Sequence, residues 1–238
     1  MKRALKIMER MIVQNADEEK FEDYKYYEDT TEGDVLLAKT GSVLPLWRFS
    51  TERSRKKHVS SICWNPRYSD LFAVGYGSYD FLKQNTGLIC CFTIKNPTHP
   101  EYQFTTESGV MCLDFHPRYP ALLAVGCYDG TVMVFDIRIR GNNKPIYQST
   151  VRTAKHTDPV WQVRWSTDDI TKNMSFYSIS SDGRVTTWNL MKNKLEPEEV
   201  IKLKLVAEQD KELSDTKKDA FVYGLAGGMC FDFNKFHD

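Results

Sequence analysis

CWNPRYSDLFAVGYG, residues 63–77, is matched 51 positions later by DFHPRYPALLAVGCY, residues 114–128. Pro66, Arg67, Tyr68, Leu71, Ala73, Val74 and Gly75 fall on Pro117, Arg118, Tyr119, Leu122, Ala124, Val125 and Gly126. Around each copy the apolar residues alternate. Ile62 and Trp64 share a face, as do Met111, Leu113 and Phe115, and this period of two is that of half-buried strands. A third copy is looser: in PVWQVRWS, residues 159–166, Trp161, Val163 and Trp165 are expected on one face. Each alternating stretch leads into a second apolar run (LFAVG, LLAVG, FYSIS). The second and third copies then turn at Asp129-Gly130 and Asp182-Gly183. Asp-Gly suits a two-residue hairpin, because glycine takes positive φ cheaply. A third strand follows in LICCFTI, TVMVFDI and RVTTWNL.

Anchored on Trp64, Phe115 and Trp165, the repeats are 51 and 50 residues apart, and a further anchor, Phe233, comes 68 later. Short strands, Asp-Gly turns and closing pairs such as Phe135-Asp136 and Trp188-Asn189 identify WD40-type β-propeller blades, with loops stretching the usual period of ~40–45 residues. The fold class expected is all-β: about three complete blades and the start of a fourth, an incomplete propeller, preceded by a short α-helix. Two parts are expected. Residues 1–45 hold the helix (Leu5, Met8 and Ile12 at helical spacing) and an acidic, Tyr-rich linker. Residues 46–238 hold the partial propeller. Its blades are placed at 58–96, 108–140 and 156–192, with a charged insertion at 192–218 and the next blade starting at 221–238.

In WD-type blades a histidine, a serine, a turn aspartate and a tryptophan form a hydrogen-bonded brace. The third copy supplies His156, Ser180, Asp182 and Trp188; His58 with Asp80 is a partial version, and the second copy keeps Asp129 but has Ser108-Gly109 where a histidine would stand. Trp64, Phe115 and Trp165 are expected in or between blades. Trp161, Arg67 and Arg118 are candidates for partner contact.

The 238 residues carry 32 basic and 32 acidic side chains, so no global charge argues for nucleic acid or an anionic membrane. The longest apolar run, near ALLAVGCY, is short for a membrane span, and the charged N-terminus does not read as a signal peptide. None of the six cysteines forms a CxxC pair, which fits buried free thiols in a reducing compartment. No catalytic, metal or cofactor constellation emerges. The five histidines are dispersed, Cys90 and Cys91 face opposite ways in a strand, and GYGS at 75–78 lacks the Gly-Lys-Ser/Thr of a phosphate loop. The basic stretch 48–57 lacks the interleaved aromatics of a nucleic-acid groove.

Taken together, LPLWRF, CWNPRYSDLFAVGYGSYDF, SGVMCLDFHP, HTDPVWQVRW and SSDGRVTTWNL resemble the outer-arm axonemal dynein intermediate chains, of the intermediate chain 1 type, from about Leu5 to the last residue. The resemblance implies a non-catalytic scaffold that binds no nucleotide. Its propeller would grip the tail of a dynein heavy chain beside a second intermediate chain. Microtubule association would be indirect, assembly would occur in the cytoplasm, and the site of work would be the axoneme of a cilium or flagellum. Two departures are noted. The family's long polar N-terminal extension, which recruits light chains, is not found here, and its propeller has roughly seven blades. The expectation is therefore a fragment without light-chain sites, prone to association through open blade surfaces. A WD-repeat subunit of another assembly, such as intraflagellar transport, is the alternative.

Overall fold

The computed structural model describes residues 2–22, 45–78, 80, 82–83, 86–139, 143–166, 174–192, 194–203 and 226–234. Among them are one α-helix, α1 (Lys2–Ala16), and twelve strands in three antiparallel meanders. The first sheet holds β1 (His58–Trp64), β2 (Leu71–Gly77), β3 (Gly87–Thr93) and β4 (Tyr102–Thr106). The second holds β5 (Val110–Phe115), β6 (Leu122–Cys127), β7 (Val132–Asp136) and β8 (Tyr147–Gln148). The third holds β9 (Val160–Trp165), β10 (Ser175–Ser180), β11 (Arg184–Leu190) and β12 (Leu195–Lys202). Three four-stranded sheets of this kind, docked in series, are propeller blades.

Every sheet has a fourth strand beyond the range read from the sequence. β4 and β8 lie past residues 96 and 140, and β12 occupies the first part of the stretch assigned to a charged insertion. These outer strands carry little apolar alternation because they cover one edge and otherwise meet water. β12, LEPEEVIK, is exposed along its second half and accommodates Pro197 at an edge. Residues 226–234 form no strand. They run along the third sheet, where the Gly228 N–H donates to Ser180 O (3.1 Å) and the Phe231 N–H to Gln162 Oε1 (2.7 Å). The acidic Tyr-rich linker past Glu22 and most of the 192–218 insertion lie outside the described residues.

The inner strands β1, β5 and β9 each carry a register shift at the same repeat position, beside Ser60, Met111 and Trp161. A bulge puts two residues against one and flips the alternation beyond it. For this reason Val110 and Val160 are fully buried, whereas Met111 and Trp161 are only half-buried and do not share the core face of Leu113 and Val163.

Blades dock through these inner strands. Val110, Leu113 and Phe115 join Ala73, Ile89 and Phe104 in one core, and Val160, Val163 and Trp165 join Cys112, Ala124 and Val134 in the next. The approach is close enough to require glycine. A Cβ on Gly75 would lie 2.6 Å from Val110 Cγ1, and one on the repeat-equivalent Gly126 would lie 2.5 Å from Cys112 Sγ. β2 and β3 are buried along their whole length because the face of the first sheet away from the second is covered as well, by Phe49 packed on Phe72 and Phe92. Trp64 departs from expectation. It leans on Phe72 (4.9 Å between ring centroids) but is 56% exposed, whereas its equivalents Phe115 and Trp165 are buried against the preceding blade.

Helix α1 is amphipathic, yet it is held by its polar side. Lys6 and Arg10 both pair with Glu101, before β4, and Glu9 accepts from Asn96 Nδ2 (3.0 Å). Leu5, Met8 and Ile12 remain largely exposed.

Candidate partner-binding surface

The third sheet contains a buried polar chain. His156 Nδ1 lies 2.9 Å from Asp182 Oδ2, His156 Nε2 lies 2.7 Å from Ser178 Oγ, and Trp188 Nε1 lies 2.7 Å from the same oxygen. An indole nitrogen only donates, so Ser178 accepts from Trp188 and turns its own proton to His156 Nε2. The imidazole then carries its proton on Nδ1 and donates to Asp182. Burial pushes His156 below its ordinary value, the attraction of Asp182 opposing it, which keeps the ring neutral. Burial works the other way on Asp182, but donors from Arg184 and His156 outweigh it and hold the carboxyl below the usual carboxylate range.

The serine of this chain is Ser178 and not Ser180, the residue read from the sequence. Ser180 shares its parity but sits two residues nearer the turn. There its hydroxyl donates to Asp158 O (2.9 Å) and accepts from the Asp182 N–H (3.3 Å). The turn itself is three residues, Ser181–Gly183, rather than two, closed by Gly183 N–H to Ser180 O with Gly183 at φ 77.

Asp129, the equivalent acid of the second blade, accepts from the Thr131 N–H and hydroxyl and pairs with Lys155 at 2.7 Å. Lys155 immediately precedes His156, so this pair links the second blade to the approach of the third. Where the sequence offers Ser108 in place of a histidine, its hydroxyl accepts from the Asp129 N–H (3.2 Å). His58 and Asp80 are both exposed, unlike His156 and Asp182. His58 opens β1 opposite Gly77, and Asp80 accepts from the Leu82 N–H.

Asp114 ties three blades. Its Oδ2 accepts from the Trp165 N–H (2.9 Å), its carbonyl accepts from Trp165 Nε1 (3.0 Å), and its Oδ1 faces the Cys63 thiol (3.8 Å). Burial raises its carboxyl to about 6, against the lowering effect of the Trp165 N–H and the Arg164 charge.

The repeated Pro-Arg-Tyr loops are built alike. Asn65 Oδ1 accepts from the N–H groups of Arg67 and Tyr68, and His116 Nδ1, 51 residues on, accepts from those of Arg118 and Tyr119. Asn65 also reaches the next blade, donating from Nδ2 to Pro120 O (2.7 Å). The two loops therefore stand side by side on one face, with Arg67 and Arg118 exposed, and together they flank an open cleft of about 1020 Å³. The cleft floor is aliphatic (Leu71, Leu122, Ile137, Leu190), and Arg10 of α1 forms part of a wall. Of the three residues proposed for partner contact, Arg67 and Arg118 meet at this cleft. Trp161 does not line it; its indole donates to Ser181 Oγ (2.5 Å).

Ser178, His156 and Asp182 stand in the order of a nucleophile, base and orienting acid, but all three are buried and the serine oxygen already accepts from the Trp188 indole, so the chain braces the blade and presents no serine to a substrate. Among the described residues no group of three or more His, Cys, Asp or Glu is placed to hold a metal, and no helix is long and apolar enough to cross a membrane. All six cysteines are free. Burial drives the thiols of Cys91, Cys112 and Cys127 far above their ordinary range and that of Cys90 up to about 12.

Comparison with known proteins agrees with the blade architecture. The family model for the dynein axonemal intermediate chain 3 WD40 domain matches residues 48–156. The 78 kDa intermediate chain of the Chlamydomonas reinhardtii flagellar outer arm dynein is 51% identical over 232 residues, covering 98% of this chain and 33% of that protein. The ciliary dynein intermediate chain 2 of Heliocidaris crassispina is 48% identical and dynein axonemal intermediate chain 1 of Mus musculus 44% identical, each across 98% of this chain and 32% of the relative. The chain thus spans about a third of the length of these relatives. Over nearly all of its own length, blades and N-terminal helix together, it is a homologue of the axonemal dynein intermediate chains.

Proposed function

We propose that this chain is a non-catalytic intermediate-chain subunit of outer-arm axonemal dynein. Its blades form a WD-repeat scaffold that binds the tail of a dynein heavy chain and stands beside a second intermediate chain. The complex is preassembled in the cytoplasm and serves microtubule-based motility in the axoneme of a cilium or flagellum, with microtubule contact made through the other subunits. The observation that carries this reading is the identity of 44–51% across 98% of the chain to flagellar and axonemal intermediate chains. The structure supports it in kind. Serially docked blades with cross-blade ties at Asp114 and Asn65 form a rigid platform, and rigid platforms bind partners without a large ordering cost. The test is affinity purification of the tagged chain from extracts of ciliated cells, read by mass spectrometry. Dynein heavy chain and a second intermediate chain are expected in the eluate. Recovery of a different multiprotein assembly would overturn the assignment.

A further inference from the structure

The cleft between the two Pro-Arg-Tyr loops has an electrostatic layering that a neutral chain does not announce. Among the described residues its lining carries five cations (Arg10, Arg67, Lys95, Arg118, Arg138) against three acids (Asp70, Glu101, Asp136), a net charge of +2 from five minus three. The acids are the inner partner in each ion pair. Glu101 is 10% exposed where Arg10 is 34%, Asp70 is 26% where Lys95 is 52%, and Asp136 is 8% where Arg138 is 75%. The carboxylates are the more buried members of these pairs, and among the described residues it is the side chains of Lys95 and Arg138 that meet solvent most, which gives the rim a cationic character. Arg67 and Arg118 add two exposed arginines at matched positions of consecutive repeats, each followed by a half-exposed tyrosine. Beneath this rim the floor is aliphatic.

We propose that this cleft is a docking site for an acidic peptide segment of a partner protein, one in which Asp or Glu alternates with aliphatic side chains. Matched arginines present planar forks suited to carboxylates, and Tyr68 and Tyr119 supply apolar walls with polar tips. The aliphatic floor takes the intervening side chains. A phosphate backbone would face the same rim, but it has no apolar groups for the floor, and the three more buried carboxylates already pair with cations that it would need. The site goes beyond the assignment to a motor complex, and its test contains no motor subunit, so failure of the peptide assay and failure of heavy-chain capture are separate results.

The experiment is fluorescence anisotropy on the full chain with a labelled peptide of alternating glutamate and leucine. Its lysine-leucine counterpart and a single-stranded oligonucleotide serve as comparisons. The glutamate peptide is expected to bind, and to weaken as salt rises. The double reversal R67E/R118E is expected to lower affinity by about tenfold or more, as two rim charges reversed together should. R67Q/R118Q should give a smaller loss in the same direction, and K202E on β12, outside the cleft, should leave affinity unchanged. Circular dichroism checks that each variant keeps its sheets. The proposal is overturned by no glutamate-peptide binding at low salt, by affinity insensitive to R67E/R118E, or by tighter binding of the lysine peptide or the oligonucleotide.

Discussion

Replacing Ser178 by alanine tests the polar chain of the third blade. Ser178, His156 and Trp188 are 0%, 1% and 0% exposed, so water cannot replace the lost hydroxyl without opening the sheet. The variant leaves two buried groups unmatched: the Trp188 indole N–H, and His156 Nε2, which is held as an acceptor by the proton on Nδ1. Each orphaned group costs about 1–3 kcal/mol, and relief from no longer burying the hydroxyl offsets part of this, which places the loss at about 3 kcal/mol. Ser180→Ala, two residues along, removes one bond to the carbonyl of the exposed Asp158 and one accepted from Asp182 N–H, and should lose about 1 kcal/mol. Urea unfolding followed by far-ultraviolet circular dichroism measures both. Adding Trp188→Phe to Ser178→Ala removes donor and acceptor together, so the double variant should lose less than the sum of the singles by about 1 kcal/mol. A Ser180→Ala loss equal to or above that of Ser178→Ala, or additivity in the double-mutant cycle, would refute the assignment of donors.

Three further outcomes are expected. Asp114 has a folded value of about 6, above its unfolded value, so its contribution favours the fold below about pH 4 and is lost as pH rises toward 6; depressed His156 works oppositely, its contribution being lost as pH falls below about 6.5. Asp114→Asn should therefore abolish the first effect and leave a melting temperature that falls steadily from pH 7 to 5, a trend checked by thermal melts in buffers of equal ionic strength. Gly126→Ala would put a methyl 2.5 Å from Cys112 Sγ and 2.7 Å from Val160 Cγ1, costing about 1–3 kcal/mol by overpacking, and Cys112→Ala should recover part of it in the same unfolding assay. Ellman's reagent should find exposed Cys230 fast in the native protein and Cys90, Cys91, Cys112 and Cys127 silent until denaturant is added; rapid titration of those four would show that the blade cores are open.

The repeat was legible because the second strands, β2 and β6, are buried along their whole length, and burial writes itself as LFAVG and LLAVG. The outer strands escaped because an edge strand such as β12 satisfies its pairing with charged residues pointing to water, and so resembles a loop in sequence. Ser178 and Ser180 lie two apart on one face, and no one-dimensional pattern separates them. The β10–β11 ladder does: it sets Phe176 opposite Trp188, so Ser178 lies nearer that indole than Ser180. The register shift between β9 and β10 misled the reading of Trp161, since an alternation counted from Val163 backwards does not survive a bulge. Arg67 and Arg118 were readable as a pair through their spacing. Lys95, Glu101 and Asp136 were not, because they reach the same cleft from segments that meet only in three dimensions.

The docking pattern bears on how such a chain is made. β5 touches β1, β2 and β3, and β9 touches β5 and β6, so each blade's first strand finds its seat on residues already synthesised. A nascent chain leaving the ribosome can thus assemble vectorially, about one blade for every repeat translated, without waiting for a distant partner strand. The glycines at 75 and 126 keep those seats clear, and a side chain there would weaken the seat on which the next blade closes.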